Sequence, residues 1–205
     1  MWIKICGMTS APAVAAAIEA DVDAIGFVFA ESVRQLTPRA AAALAKPARK
    51  RVRCVAVARH PTQRALDEIV NVFRPDVLQS DLADFRGLRL PAALALLPVV
   101  RAGEQVPAEL PERVLFEGAA SGSGELSDWT AARALAGRTA LVLAGGLDAA
   151  NVARAIAAVQ PFGVDVSSGV EERPGLKSAA AIVKFVAAVR AASSAPASPA
   201  SEDHP

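Results

Sequence analysis

The chain has 205 residues, 53% hydrophobic and 21% charged, which is enough apolar material for one sizeable core and suits one domain better than two. Lys and Arg total 22 against 21 Asp and Glu, so there is no basic excess for nucleic acid; aromatics at 4%, without a Tyr, also argue against a base-stacking surface. Two Cys and two His exclude a disulfide framework, a cysteine-built zinc site and a multi-histidine metal centre.

From the N-terminus, Met1-Trp2-Ile3-Lys4-Ile5 is short and charged and runs straight into a turn, which is no signal peptide. Apolar runs that read as strands follow at residues 2–6, 24–29, 51–58, 76–79, 97–101, 113–117, 139–143 and 163–166. Several are nearly continuous apolar stretches, as expected of parallel strands covered by helices. Helical patterns sit between most of them. After the third strand Ala65, Leu66, Ile69, Val70 and Phe73 fall on one helix face. Pro91, Pro98, Pro107 and Pro111 weaken the helices expected after strands four and five. The apolar run 91–100 is too short to span a bilayer, so no membrane partner is expected. Asp148 reads as the N-cap of a helix carrying Val152, Ile156 and Val159, and the last helix presents Ile182, Val183, Val186 and Val189. Residues 191–205, rich in Ala, Ser and Pro and containing His204, have little to bury and are expected to form a disordered tail after a domain spanning 1–190. Two unpaired thiols fit a reducing, cytoplasmic setting.

Eight strands alternating with about eight helices make a (β/α)₈ barrel, of the TIM-barrel class, the expected α/β fold. An open doubly wound sheet would carry a glycine-rich loop after its first strand, where this chain has Cys6-Gly7-Met8-Thr9. The glycine-rich loops instead follow strands seven and eight, as Ala144-Gly145-Gly146-Leu147 and Ser167-Ser168-Gly169, where such barrels commonly bind phosphate.

Active sites in this fold lie at the C-terminal ends of the strands. Cys6 ends the first strand, as a general base or as a small core residue, whereas Cys54 lies mid-strand and reads as core. Glu117 ends the sixth as a general acid, kept protonated by apolar surroundings, or as a solvated loop charge. Asp165 interrupts an apolar strand and needs a partner. Arg34 follows strand two as a carboxylate clamp or a surface residue, and His60 follows strand three at the edge of the same face.

Taken together these loci resemble the phosphoribosylanthranilate isomerase family. The resemblance covers residues 1 to about 190. It is carried by Lys4-Ile5-Cys6-Gly7-Met8-Thr9, by Ala24-Ile25-Gly26-Phe27-Val28-Phe29 with Ser32 and Arg34, by Leu143-Ala144-Gly145-Gly146-Leu147, and by Val164-Asp165-Val166-Ser167-Ser168-Gly169-Val170-Glu171. It implies a cofactor-free Amadori rearrangement of N-(5-phosphoribosyl)anthranilate to 1-(2-carboxyphenylamino)-1-deoxyribulose 5-phosphate in tryptophan biosynthesis. A cytoplasmic monomer without a metal is the accompanying expectation. By the same resemblance Cys6 is the base and Glu117 the acid. Arg34 and Asp165 bind the substrate, and Gly145, Gly146, Ser167, Ser168 and Gly169 bind its phosphate. The chain departs from the family pattern in having Glu117 for Asp, Ser121-Gly122-Ser123-Gly124 for Gly-Gly-Thr-Gly, Gln79-Ser80-Asp81-Leu82 for Gln-Leu-His-Gly, and Arg53-Cys54-Val55-Ala56-Val57-Ala58 on strand three. The competing expectations are an isomerase of a different aminoaldose phosphate and a phosphate-ligand-binding barrel without catalysis.

Overall fold

The computed structural model describes residues 1–118 and 128–194. Eight parallel strands close on themselves in sequence order: β1 (Trp2–Ile5), β2 (Ala24–Val28), β3 (Arg53–Val57), β4 (Val77–Asp81), β5 (Ala95–Arg101), β6 (Arg113–Glu117), β7 (Ala140–Leu143) and β8 (Gly163–Val166), with β8 pairing back to β1. All eight strands expected from the sequence are present, and the expected barrel is the observed one.

Strand alternation divides the core in two. Ala24, Val55, Val77, Leu97, Val99, Leu115, Val142 and Ala144 point inward and fill the barrel. A larger set, including Ile3, Ile5, Ile25, Phe27, Leu78, Phe116, Leu141 and Val164, packs outward against the helices. The N-terminal end of the barrel is closed by Trp2 and Phe162, with the Arg113 guanidinium 4.3 Å above the Phe162 ring.

Six α-helices lie among the described residues: α1 (Ala11–Glu19), α2 (Pro38–Ala45), α3 (Gln63–Glu68), α4 (Trp129–Ala136), α5 (Val152–Val159) and α6 (Ala179–Ser194). About eight were expected. β4 is followed only by a 3₁₀ segment, Leu82–Arg86, and β5 by an irregular stretch holding Pro107 and Pro111, whose missing N–H groups cannot sustain a helical ladder. α3 runs on into a π-helical turn, Ile69–Phe73, and buries Leu66, Ile69 and Phe73 as its apolar spacing requires.

Three details differ from expectation. Asp148 caps the turn before α5 rather than the helix itself: its Oδ1 accepts from the Ala150 and Asn151 N–H groups, and Asn151 holds the N-cap position. Val183 is exposed while Phe185 takes the buried place on α6. That helix also continues to Ser194, past the expected domain edge at residue 190, with Ala192 packed against the core. Residues 195–205, and the Ser121–Gly124 loop, lie outside the described residues. No helix among the described residues is long and apolar enough to cross a membrane.

Candidate active site

The C-terminal ends of the strands surround a cavity of about 360 Å³. It is lined by Cys6, Arg34, Glu117, Gly145, Gly146, Asp165, Ser167 and Ser168, together with Gln79, Asp81, Arg59 and Arg101. Eight of the nine site residues expected from the sequence therefore share one cavity. The ninth, Gly169, does not line it. A methyl group there would collide with the Leu147 carbonyl, so this glycine lets the β8 loop pack against the β7 loop.

Barrel register explains the first charged pair. Lys4 on β1 stands directly opposite Asp165 on β8. Both point into the barrel and meet at 2.8 Å, with the lysine fully buried. Burial works against the Lys4 ammonium, but Asp165 and the neighbouring Cys6 more than offset it and its pKa is raised. Burial raises Asp165 despite the Lys4 pairing. Cys6 lies one inward step above Lys4. Burial pushes its thiol up from the ordinary value, while the Lys4 charge pulls it back. Gly26 on β2 packs on the same sulfur: a methyl there would lie 3.0 Å from Cys6 Sγ and 3.2 Å from Lys4 Cε.

Register also builds the second cluster. Arg101 ends β5 opposite Glu117 at the end of β6. Arg101 Nη1 donates to Glu117 Oε1, and Nη2 donates to Asp81 Oδ1 at the end of β4. The carboxylate of Glu117 thus meets a guanidinium, where the sequence suggested apolar surroundings. His60, at φ +47, is exposed at the rim beside this cluster. Asp84 accepts from its backbone N–H at 3.0 Å and contacts Nδ1 at 2.8 Å, while Nε2 lies 3.4 Å from Asp81. His60, Asp81 and Asp84 bring their ligand atoms within 4.8 Å of one another, and each already has a protein partner.

Arg34 reaches the cavity from the loop after β2. Its Nε and Nη2 donate to the two oxygens of Glu171 at 2.7 and 2.8 Å. Glu171 belongs to a small hairpin after β8, β9 (Glu171–Arg173) and β10 (Leu176–Lys177), and also accepts from Lys177 Nζ at 2.6 Å. Burial opposes ionisation of Glu171, but Arg34 and Lys177 outweigh it and hold its pKa at about 2. The guanidinium crosses Gly7, which sits at φ +79; a methyl there would strike Arg34 Cδ at 2.5 Å. Glu171 thus holds the Nε–Nη2 side of Arg34, and the Nη1–Nη2 edge is not used by Glu171.

Gly145 and Gly146 take φ of 93° and 63°, turning the β7 loop so that backbone lines the cavity. Asn151 Nδ2 fixes this loop by donating to the Gly146 carbonyl at 2.7 Å. Ser167 Oγ donates to the Cys6 carbonyl at 3.2 Å, tying the β8 loop to the end of the first strand. Cys54 and Asp128 do not line the cavity. Cys54 is buried against the helices with its pKa pushed up to about 11 by that burial, and Asp128 caps α4 through the Thr130 and Ala131 N–H groups.

Sequence reasoning missed Lys4, Asp81, Arg101, Glu171 and Lys177 as members of the site. The signal for Lys4 was a charge inside an otherwise apolar strand, the same signal that singled out Asp165, and for Arg101 a charge ending an apolar strand, as at Glu117.

Known proteins resemble this chain in sequence and in fold. A sequence model of the family described as N-(5'phosphoribosyl)anthranilate (PRA) isomerase matches residues 3–188. The N-(5'-phosphoribosyl)anthranilate isomerase of Rhizobium etli is 38% identical over 93% of this chain and 94% of its own length. That of Halobacterium salinarum is 37% identical over 90% and 94%. Among solved structures, TrpF from Jonesia denitrificans superposes with a TM-score of 0.78 at 33% identity, covering 95% of this chain and 98% of its own. The phosphoribosyl anthranilate isomerase from Thermus thermophilus superposes with 0.80 at 26%, covering 93% and 99%. A further isomerase, in complex with reduced 1-(O-carboxyphenylamino)-1-deoxyribulose 5-phosphate, shares the fold with a TM-score of 0.75 at 24% identity, covering 93% and 99%. With a family match across nearly the whole barrel and relatives of this similarity, the chain belongs to the N-(5'-phosphoribosyl)anthranilate isomerase family.

Proposed function

We infer that this chain converts N-(5-phosphoribosyl)anthranilate to 1-(2-carboxyphenylamino)-1-deoxyribulose 5-phosphate through the acid Glu117 and the base Cys6. The observation that carries this reading is their placement. They end β6 and β1, three strands apart around the ring, and line one cavity between the β7–β8 loops and Arg34.

The substrate carries an anion at each end. The backbone at Gly145 and Gly146, with Ser168, suits the phosphate. The unshared edge of Arg34 suits the anthranilate carboxylate, with Glu171 and Lys177 holding that side chain in place. Between these anchors Glu117 gives a proton to the furanose oxygen as the C1–O bond breaks, leaving an iminium. For this step Glu117 must first take up a proton from solvent, and the carboxylate it becomes again is the one paired with Arg101 in this structure. Cys6, as thiolate, removes the proton on C2, and the enolamine becomes the ketone when C1 is protonated and the C2 hydroxyl loses its proton. The isomers balance without an oxidant, so no redox cofactor is needed. Lys4 supplies the positive charge that favours the thiolate.

A cytoplasmic monomer is the accompanying expectation, supported for the compartment by the two free thiols. The test is growth. A tryptophan auxotroph lacking only this isomerase should grow without tryptophan when supplied with the chain. No rescue with soluble protein present would favour a barrel that binds a phosphorylated ligand without turning it over.

A further inference from the structure

Gln79 is the middle residue of β4 and points into the barrel, between the inward positions of Val77 and Asp81. It lines the cavity and is only 6% exposed. Its register neighbours are Val57 on β3 and Leu97 on β5, and neither side chain can donate a hydrogen bond. The Oε1 atom is buried and has no hydrogen-bond partner among the described residues. A buried carbonyl left without a donor lowers stability, and a leucine or methionine would fill the same space without that cost. An amide held at such a position points to a ligand that completes it.

We propose that Gln79 is a substrate-binding residue whose amide oxygen accepts a hydrogen bond from the N–H or O–H donors in the middle of the substrate. This rests on the isomerase reading above. Both ends of that substrate are anions, which a carbonyl oxygen repels. Its donors are the arylamine N–H and the ribose hydroxyls between them. The terminal amide torsion is broad, so the group turns to meet a donor without moving the strand. The arylamine N–H becomes part of an iminium when the ring opens, so an acceptor on that group strengthens in the transition state and raises kcat. An acceptor on a hydroxyl binds ground and transition states alike and lowers KM alone.

The test compares wild type with Gln79→Leu in the full chain, using reduced 1-(2-carboxyphenylamino)-1-deoxyribulose 5-phosphate as probe. Without ligand, the Tm of Gln79→Leu is expected to equal or exceed that of wild type. Its Kd for the probe should be about tenfold weaker or more. Two analogues identify the donor, one with oxygen replacing the amine N–H and one lacking the C3 hydroxyl. The analogue missing the true partner should bind both proteins alike, while the other keeps the tenfold gap. Loss of the gap with the ether analogue should accompany a fall in kcat on the natural substrate. Should Gln79→Leu fail to fold, Gln79→Met, unbranched at the β- and γ-carbons like glutamine, serves for the same comparison. A Tm lowered by several degrees with Kd within about twofold of wild type would show a structural glutamine and overturn the assignment. Equal Kd and equal Tm would overturn it as well. If wild type does not bind the parent probe at all, the isomerase reading itself fails, and this inference falls with it.

Discussion

Cys6 and Cys54 are both buried thiols, and burial raises the pKa of each, yet they occupy opposite faces of the sheet. Cys6 lines the cavity above a lysine, whereas Cys54 packs among side chains beneath the helices. Cys6→Ala should therefore lower kcat by about two to four orders of magnitude with little loss of Tm, since it removes the proposed base and the side chain is small. Cys54→Ala should leave kcat near wild type and act only through stability. Steady-state kinetics and thermal melts of the two variants check both, and a catalytic collapse confined to Cys54→Ala would mean the base is misassigned. The difference between the two was legible in the sequence, because an apolar run that stops at Cys6 and continues through Cys54 separates a strand end from a strand middle. The surroundings of Glu117 were not. Its neighbours in the chain, Leu115 and Phe116, are apolar, but the group that touches it is Arg101, brought alongside by the pairing of β5 with β6.

Pairing of whole strands likewise decides what Lys4 and Asp165 do. They are 161 residues apart in sequence and become neighbours only when β8 closes on β1. The sequence marked Asp165 as a charge in need of a partner without saying where that partner lay. Lys4→Met leaves a buried carboxylate unpaired and should cost about 3–5 kcal/mol in urea unfolding, while adding Asp165→Leu should recover most of that loss. No recovery in the double variant would show that the pair is not the source of the cost. The β9–β10 hairpin contributes a different kind of stability. Glu171 ionises at about 2 in the folded chain against an ordinary value of 4.5, so its ion pairs stabilise fully above about pH 4.5. That stabilisation is lost as pH falls from there through 2, because protonation dissolves the contacts with Arg34 and Lys177. The Tm of wild type should thus fall over this range more steeply than that of Glu171→Gln, and parallel curves would contradict the pairing. In the sequence Glu171 was visible only as part of a motif, since its partner Arg34 lies 137 residues away.

Across the molecule, closure of eight strands collects at one end of a barrel groups drawn from the whole described chain, from Cys6 to Lys177. The alternation of apolar runs with helical spacing disclosed this architecture, and strand ends marked which face would carry chemistry. The missing helices after β4 and β5 were foreshadowed by their prolines, whereas the continuation of α6 to Ser194 was hidden because Ala192 looks like tail composition until its packing is seen. The central claim is that this barrel isomerises N-(5-phosphoribosyl)anthranilate with Glu117 as its acid. The most direct measurement is kcat on that compound for wild type and Glu117→Gln, with the Kd of the reduced product analogue measured on the same samples. The account predicts turnover by wild type and a loss of about two orders of magnitude or more in the variant, with Kd nearly unchanged, because shape is kept and the proton is gone. A folded Glu117→Gln that turns over at the wild-type rate, or a wild type that binds the analogue and converts nothing, would contradict it.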